Sequence, residues 1–580
     1  MEFYYTDERN EQMLLFLLKE YNIKKVIASP GATNSSLVAS MQQDPYFEMY
    51  SCVDERSAGY MAVGLCEISG EPVVLSCTGA TSSRNYMPAL TEAYYRKLPV
   101  IAITSSQDIM NIGHLIAQVT DRTKIPNDVA IKSVQVQNIR SEKDEWDCNL
   151  KLNMALQAFR PIPRPVHINL CTGLGKGNDV KELPETKVIR KYLRGDELPD
   201  IPKNSKVAIF IGSHNTFKQE EIRAIDNFCS SYDAVAFCDH TSSYRGKYRV
   251  QYALLGAQDK TSFDSTDVDI LIHMGEVSGD YDTLHNMHAK SVWRLNDDGD
   301  FHDTFRGKLN NVFCMNELDF FENYSRGKES LNDEYLLKCR DSYDSVINKI
   351  SDLPLSNIYV ASKIAPILPN KSIVYLGILN TLRSWNFFEV NDSIHTVCNV
   401  GGFGIDGIVS SMVGASLFNK SRLCFGFVGD LSFFYDMNSL GNRHIHGNFR
   451  LLIINNGHGQ EFENYNHGAA FMGSDVNKYV AAEGHFGNKS KQLVRHYAED
   501  LGFDYFSASS KEEFDAQLET FTNCKIGEKP IIFEVFTNSE DENEALFAIR
   551  NLIKDNKLLV EQKVKKVVKS ILSNAHILRY

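Results

Sequence analysis

The sequence predicts an α/β fold built on parallel sheets. Short apolar runs alternate with segments of helical periodicity, beginning with a helix at 11–21 and a strand at 26–28. Several apolar runs stop abruptly at polar turn residues, which is typical of buried parallel strands. The 580 residues are enough for about three domains with complete cores. We therefore expect an α/β protein of three doubly wound, parallel-sheet domains.

Composition limits the kinds of partner. The chain is 43% hydrophobic and 23% charged, as in ordinary globular proteins, and its net charge of -13 argues against nucleic acid, which needs a basic face. No long apolar run occurs, and residues 1–25 are too charged for a secretory signal, so we expect a cytoplasmic protein. The twelve cysteines include no Cys-x-x-Cys pair, which indicates reduced thiols rather than disulfides or a zinc site.

The pattern divides the chain into three units and an extension. The first unit, 1–180, closes with a strand at 165–170, and residues 172–205, rich in glycine, proline and charge, are typical of a linker. The second unit, 200–335, lacks a Gly-x-Gly-x-x-Gly fingerprint, so we predict a structural role. The third unit spans 350–545. Residues 546–580 form a basic amphipathic extension, which more often packs on protein than on an anionic membrane surface.

Polar residues follow two apolar runs of the third unit. The run 423–428 ends in Gly429-Asp430, and the run 451–454 ends in Asn455-Asn456-Gly457. Because carboxyl ends of parallel strands meet at one edge of a sheet, we expect Asp430 and Asn456 to converge. A carboxylate, an amide oxygen and a backbone carbonyl are hard ligands suited to Mg2+. The sequence thus predicts a magnesium site, with ordinary strand-end turns as the alternative.

The spacing of these residues resembles a known enzyme family. Gly-Asp followed by Asn-Asn, with Asn456 26 residues after Asp430, resembles the signature of thiamine diphosphate (ThDP) enzymes. The string at 429–440, GDLSFFYDMNSL, is similar to the MenD family, the 2-succinyl-5-enolpyruvyl-6-hydroxy-3-cyclohexene-1-carboxylate synthases of menaquinone biosynthesis. The likeness covers most of residues 1–540. It implies pyrimidine-binding, central and diphosphate-binding domains, with ThDP and Mg2+ as cofactors.

The resemblance also assigns roles to residues. Glu55 matches the glutamate that bonds the cofactor's pyrimidine and helps remove the thiazolium C2 proton; taken alone, it is typical of a helix start. Gln118 falls where the family has a glutamine facing the reaction centre, with a solvated loop amide as the alternative. The His458 carbonyl is the implied third metal ligand. The implied cofactor contacts are Gly79 and Thr81, which a plain turn would place equally well, and Gly402, Phe403, Ile405, Gly429, Leu431 and Ser432.

The chain departs from the family where the family binds acidic substrates. Thr33 stands in place of one arginine and Val400 in place of a second, whereas Arg383 keeps a third. A guanidinium fork matches a carboxylate in two hydrogen bonds, so the loss of two forks weakens binding of a dianionic acceptor. We therefore expect a 2-oxo acid donor and a carbonyl or enone acceptor, the latter different from that of the family.

Three alternatives stay open for the function. One is a true synthase of the family, acting on 2-oxoglutarate and isochorismate; another is a simple 2-oxo acid decarboxylase. The third is a catalytically silent scaffold, against which the retention of Glu55, Asp430 and Asn456 argues. In the family one site takes its glutamate and its metal ligands from two chains. The resemblance therefore implies a homodimer or a dimer of dimers.

Overall fold

The structure, a computed structural model, describes residues 4–173, 177–259, 263–484 and 490–554. The chain forms two compact units. Unit 1 contains residues 1–200 and 291–316, and unit 2 contains residues 201–290 and 317–580. The bounds of the three predicted domains stay a prediction.

The helices and strands alternate through both units. The strands of the first 200 residues are β1 (Tyr5–Thr6), β2 (Lys25–Ala28), β3 (Glu48–Ser51), β4 (Val73–Cys77), β5 (Val100–Ser106), β6 (Lys132–Val136), β7 (Val166–Cys171), β8 (Asn178–Val180) and β9 (Arg190–Leu193). The helices there are α1 (Arg9–Glu20), α2 (Ser35–Gln43), α3 (Glu55–Ser69), α4 (Thr81–Asn85), α5 (Met87–Arg96) and α6 (Glu142–Gln157).

The next elements are β10 (Val207–Ile211), α7 (Gln219–Tyr232), β11 (Val235–Cys238), β12 (Arg249–Gln251), α8 (Ala253–Gly256), β13 (Asp267–Met274), α9 (Tyr281–Asn286), β14 (His288–Asn296) and β15 (Leu309–Cys314). They are followed by α10 (Glu317–Ser325), α11 (Glu334–Ile347), α12 (Asn357–Ile364), β16 (Ile373–Leu376), α13 (Asn380–Asn386), β17 (His395–Val397), α14 (Ile408–Phe418), β18 (Cys424–Gly429), α15 (Asp430–Asp436) and β19 (Phe449–Asn455). The last are α16 (Leu493–Asp500), β20 (Asp504–Ala508), α17 (Lys511–Phe521), β21 (Ile531–Phe536) and α18 (Ser539–Arg550).

Unit 1 is built on a six-stranded parallel sheet of order β3-β2-β4-β5-β7-β6. Alternate residues of its strands enter two cores. On one face, Val26, Val74 and Ile101 pack with the apolar side of α1. On the other, Leu75 and Ala102 pack with α3 and α5. Both faces are covered, so the central strands are almost wholly apolar.

Unit 2 contains a second six-stranded parallel sheet, of order β17-β16-β18-β19-β21-β20. Every residue of β18 and β19 except Gly429 is buried, and Met412 of α14 packs against the two strands. A further run of parallel strands in this unit has the order β12-β11-β10-β13. The predicted α/β class with parallel sheets is confirmed.

The two six-stranded sheets share one topology. Numbered by their order along the chain within each sheet, the strands of both lie in the order 2-1-3-4-6-5. The order reverses between the first and third strands, at β2/β4 in unit 1 and at β16/β18 in unit 2. Crevices at such switch points, outside the carboxyl ends of the strands, are where doubly wound folds bind ligands.

The predicted linker is the main difference from the sequence analysis. The stretch 172–205 contains β8, which pairs with β1, and β9, which pairs in parallel with β15. Both are short strands, and β9 is half-exposed, so neither has the apolar run that predicts a buried strand. Residues 555–580 of the predicted basic extension lie outside the described residues. In the described ranges, no helix combines the length and apolar character that a bilayer crossing requires.

Candidate functional site

The ends of β18 and β19 meet at Asp430. Its carboxylate oxygens each accept a backbone hydrogen bond at 2.7 Å, one from Leu431 N–H and the other from Gly457 N–H across the strand end. The side chain is buried. Burial raises the pKa of the Asp430 carboxyl to about 6, while the two N–H donors act in the opposite direction. A bound cation would restore the charged form, because a nearby positive charge favours a carboxylate.

The side-chain oxygen of Asn456 is a hydrogen-bond acceptor that has no donor among the described residues. This atom, Oδ1, is buried. Buried polar atoms are nearly always paired, so an orphaned oxygen beside a buried carboxylate fits a metal ligand. The His458 carbonyl, the predicted third ligand, accepts from Gln460 N–H at 3.0 Å and keeps a second lone pair. This oxygen donor set fits Mg2+.

The loop before α14 supplies open backbone beside this point. Added Cβ atoms at Gly402 of this loop and at Gly429, the last residue of β18, would meet no other atom within 4 Å, which leaves room for an anionic group. Phe403 adopts a φ of 56°, a region that non-glycine residues rarely occupy and that clusters at functional sites. The hydroxyl of Ser432 donates to the Ile405 carbonyl, so two predicted cofactor residues are tied together.

Glu55 is the first residue of α3 and is not its cap. The cap is Asp54, whose carboxylate accepts from Arg56 N–H at 3.3 Å and from the Ser57 hydroxyl at 2.6 Å. Glu55 lies in the first turn of α3, as the helix-start alternative also expects, and it is half-buried in the single chain. Burial raises the pKa of the Cys77 thiol to about 12, and the charge of Glu55 adds to that shift.

Gly79 and Thr33 lie together at the switch point of unit 1. The Thr33 hydroxyl contacts the Thr78 hydroxyl at 2.5 Å and donates to the Ser105 carbonyl at 3.1 Å. A Cβ on Gly79 would lie 3.0 Å from that same Ser105 oxygen. Thr33 is thus bonded within the protein, whereas Thr81 is exposed at the start of α4.

Gln118 lies on the surface of the single chain. It is exposed and has a φ of 65° in the segment between β5 and β6. Its predicted place at a reaction centre stays a prediction.

Arg383, predicted to bind substrate, already has a carboxylate partner. Its Nη1 and Nη2 atoms lie 2.9 and 2.8 Å from the two oxygens of Glu461, and Nη1 also donates to Asn380. The pair lines a cavity of about 290 Å3 together with Asp280 and Arg550. Glu461 is a candidate site residue that the sequence analysis missed. Its place six residues after Asn455 on the same loop was the available signal.

A hydrogen-bond chain connects this pair to the predicted metal loop. Asn464 donates to Asn380 at 2.8 Å, and Gln460 donates to Asn464 at 3.4 Å. The Oε1 atom of Gln460 in turn lies 3.0 Å from the His458 ring. Residues of unit 2 predicted to bind substrate and residues predicted to hold the metal are therefore joined in one hydrogen-bond network, which favours a single, fixed arrangement.

A family model matches the amino-terminal part of the chain. The model described as "Thiamine pyrophosphate enzyme, N-terminal TPP binding domain" matches residues 9–125. This range contains Thr33, Glu55, Gly79, Thr81 and Gln118. The resemblance to ThDP enzymes, first drawn from short strings, is confirmed.

Relatives match the chain over most of its length. The 2-succinyl-5-enolpyruvyl-6-hydroxy-3-cyclohexene-1-carboxylate synthase of Bacteroides fragilis is 29% identical over 559 residues, 93% of this chain and 98% of the relative. That of Bacteroides thetaiotaomicron is 28% identical over 558 residues, with the same coverage. That of Flavobacterium johnsoniae is 28% identical and covers 91% of this chain and 95% of the relative. The chain is therefore a ThDP-dependent enzyme of the MenD-like carboligase type.

Proposed function

We propose that the protein is a ThDP- and Mg2+-dependent enzyme that decarboxylates a 2-oxo acid and transfers the resulting acyl anion equivalent to a carbonyl or enone acceptor. The proposed metal site is supported by the geometry where β18 and β19 end. There the buried carboxylate of Asp430 lies beside the Asn456 side-chain oxygen, which has no hydrogen-bond partner among the described residues. ThDP, when bound, supplies the electron sink for decarboxylation.

In this proposal the protein's own residues bind the metal and the cofactor and fix their orientation. Asp430, Asn456 and the His458 carbonyl would hold Mg2+, and the open backbone at Gly402 and Gly429 would admit the diphosphate. With ThDP bound, Glu55 would share a proton with the pyrimidine ring. Its carboxyl must be withdrawn from water for that work, because desolvation favours the protonated form. A half-buried position in the single chain leaves that covering to a second chain.

We propose that the acceptor differs from the dianionic acceptor of the family. Arg383 is neutralised by Glu461 at both ends of its fork, and a substrate carboxylate would have to displace that glutamate. The Thr33 hydroxyl is also used, by Thr78 and Ser105. Both observations favour an acceptor that offers a hydroxyl or another neutral group where an acidic substrate offers a carboxylate.

The second candidate function is the reaction named for the relatives. Their similarity covers nearly the whole chain, which favours a true 2-succinyl-5-enolpyruvyl-6-hydroxy-3-cyclohexene-1-carboxylate synthase. In that case Glu461 would move away from Arg383 when substrate binds. The two candidates make opposite predictions for acidic acceptors.

We further propose a cytoplasmic homodimer or dimer of dimers. Each unit exposes apolar side chains that a monomer would leave in water, among them Ile68 of α3 in unit 1 and Phe418 of α14 in unit 2, exposed by 87% and 91%. A second chain packed over these side chains would remove them from water. Two chains would complete two sites.

Product analysis separates these possibilities. The protein, loaded with ThDP and Mg2+, is incubated with 2-oxoglutarate and isochorismate, and in parallel with a pool of 2-oxo acids and neutral carbonyl acceptors. Mass spectrometry reads the products. A ligated product from the neutral pool alone supports the proposal, and efficient turnover of isochorismate supports the second candidate. Release of aldehyde without ligation in both mixtures identifies a simple decarboxylase.

A further inference from the structure

A buried arginine of unit 1 belongs to none of the roles assigned above. Arg122 lies between β5 and β6, and 6% of its surface is exposed. Its Nε and Nη1 atoms are buried and have no hydrogen-bond partner in the described part of the chain. The carboxylate next to it in sequence, Asp121, bonds Thr123 instead, at 3.0 Å to the backbone and 2.6 Å to the hydroxyl. Burying a guanidinium without a partner is costly, so this arginine indicates a missing anion.

The backbone around Arg122 is shaped to admit it. A Cβ on Gly79 would lie 3.1 Å from Nη2 and 3.3 Å from Cζ, tighter than most real Cβ contacts. The absence of a side chain at Gly79 therefore lets the guanidinium lie against the end of β4. Since Gly79 is also a predicted cofactor contact, its small size has a second explanation.

Arg122 lines a cavity of about 280 Å3 within unit 1. Arg84 and Lys124 line the same cavity, so three basic side chains face one acidic side chain, Asp121. His167 forms part of the wall and is held by Thr104 and Ser133 at 2.8 Å each. Burial lowers the pKa of His167 to about 4, so the ring adds no charge at neutral pH. The cavity is therefore positive.

The apolar residues that line the cavity favour a carboxylate with a short carbon chain over phosphate. Met87, Ile125 and Pro126 give the cavity an apolar wall. A planar guanidinium fork matches the two oxygens of a carboxylate, and an apolar wall suits a short carbon chain better than the hydrated surface of phosphate. The volume admits only a small molecule.

We propose that Arg122, with Arg84 and Lys124, forms a binding site for a small carboxylate anion, in which the carboxylate pairs with the Arg122 fork and the carbon chain lies against Met87, Ile125 and Pro126. The site shares no residue with the Arg383–Glu461 cavity and does not depend on the proposed acceptor.

Calorimetry on the full-length protein, saturated with ThDP and Mg2+, tests the site. Sodium succinate and sodium acetate are titrated at constant ionic strength, with inorganic phosphate as the competing anion. Arg122→Met should weaken carboxylate binding about tenfold or more, because it removes a charge-assisted bidentate contact. Arg122→Lys keeps the positive charge and loses the bidentate guanidinium. Its carboxylate affinity should lie between that of the wild type and that of Arg122→Met. The matched control is Arg190→Met, at an exposed arginine of the same unit.

The folding of Arg122→Met is followed separately. Removal of an unpaired buried charge should leave the melting temperature of the anion-free protein unchanged or higher. A carboxylate that raises the melting temperature of the wild type and of Arg190→Met, and not of Arg122→Met, supports the site. No binding of either carboxylate to the wild type, binding of phosphate alone, or equal carboxylate affinity in Arg122→Met and wild type would each overturn it.

Discussion

The guanidinium of Arg383 and the carboxylate of Glu461 form a two-point ion pair, with nitrogen-to-oxygen distances of 2.9 and 2.8 Å. Both side chains are largely covered, exposed by 22% and 16%. Partly buried, bidentate pairs hold their geometry better than surface pairs do. In a cavity where an acidic substrate would need the arginine, the glutamate already occupies its fork.

Glu461→Gln should shift acceptor preference toward acids. A neutral glutamine amide no longer cancels the charge of Arg383, so the guanidinium can pair with a substrate carboxylate. Charge-assisted hydrogen bonds contribute about 1.5 to 3 kcal/mol each to binding. We expect kcat/KM for carboxylate-bearing acceptors to rise about tenfold relative to neutral ones, measured by competition between paired acceptors. Glu499→Gln, at an exposed glutamate paired with Arg495, is the control. An unchanged ratio would remove Glu461 from acceptor selection.

The sequence predicts the strands of the candidate site well because they are continuous apolar runs. The runs expected at 423–428 and 451–454 differ from β18 and β19 by one or two residues at each end. Polar residues that follow such apolar runs can be recognised from the sequence alone. The position of Asp430 could therefore be read from the pattern.

Pairings between distant segments could not be read in this way. Arg383 and Glu461 are 78 residues apart in the chain, and only the fold brings them together. The orphaned guanidinium of Arg122 is likewise a consequence of packing, since its local sequence, Thr120-Asp121-Arg122-Thr123, is typical of a solvated turn. β9 was missed because a short, half-exposed edge strand carries little apolar signal.

Asp430→Ala should abolish Mg2+-dependent retention of ThDP. Without the carboxylate, the strand end offers only neutral oxygens to the cation, and the diphosphate would face a site without its counter-charge. Calorimetry of ThDP binding with and without Mg2+ measures the effect. Asp475→Ala, at an exposed aspartate paired with Lys478, should bind as the wild type does. Undiminished Mg2+-dependent binding in Asp430→Ala would show that the metal lies elsewhere.

Glu55→Gln should bind ThDP and exchange its C2 proton orders of magnitude more slowly. The amide keeps the shape of the side chain and cannot share a proton with the pyrimidine. Deuterium exchange followed by NMR gives the rate. Asp54→Ala is a matched neighbour: it removes the cap of α3, which costs about 1 kcal/mol of stability, and should leave the exchange rate unchanged. Equal rates in wild type and Glu55→Gln would return Glu55 to a helix-start role.

Glu542 should make unit 2 less stable as pH rises through the weakly acidic range. Burial raises the pKa of its carboxyl from an ordinary value to about 7, although bonds from Asn357 and Thr537 oppose the shift. The neutral acid is favoured in the folded state, so its stability contribution is fully present below about pH 4.5 and is lost as pH rises toward 7. Glu542→Gln mimics the neutral acid. Its melting temperature relative to wild type should increase over this window and then level off; a constant difference would contradict the shift.

The last prediction concerns how one site is assembled from two chains. Glu55 belongs to unit 1 and Asp430 to unit 2. In the proposed function, one ThDP would meet Glu55 at its pyrimidine and the metal held by Asp430 at its diphosphate. If the two groups come from different chains, a ligand that binds only the assembled state stabilises the dimer by mass action. Glu55→Gln and Asp430→Ala chains, each inactive alone, should then form hybrid dimers with one intact site and one doubly damaged site. Mixing them under exchanging conditions should recover part of the wild-type activity, up to about a quarter for random pairing at equal concentrations, since half of the dimers are hybrids and each has one of two sites. Native mass spectrometry of isotope-labelled chains measures the exchange itself. Demonstrated exchange without any recovery would place both groups of each site in one chain.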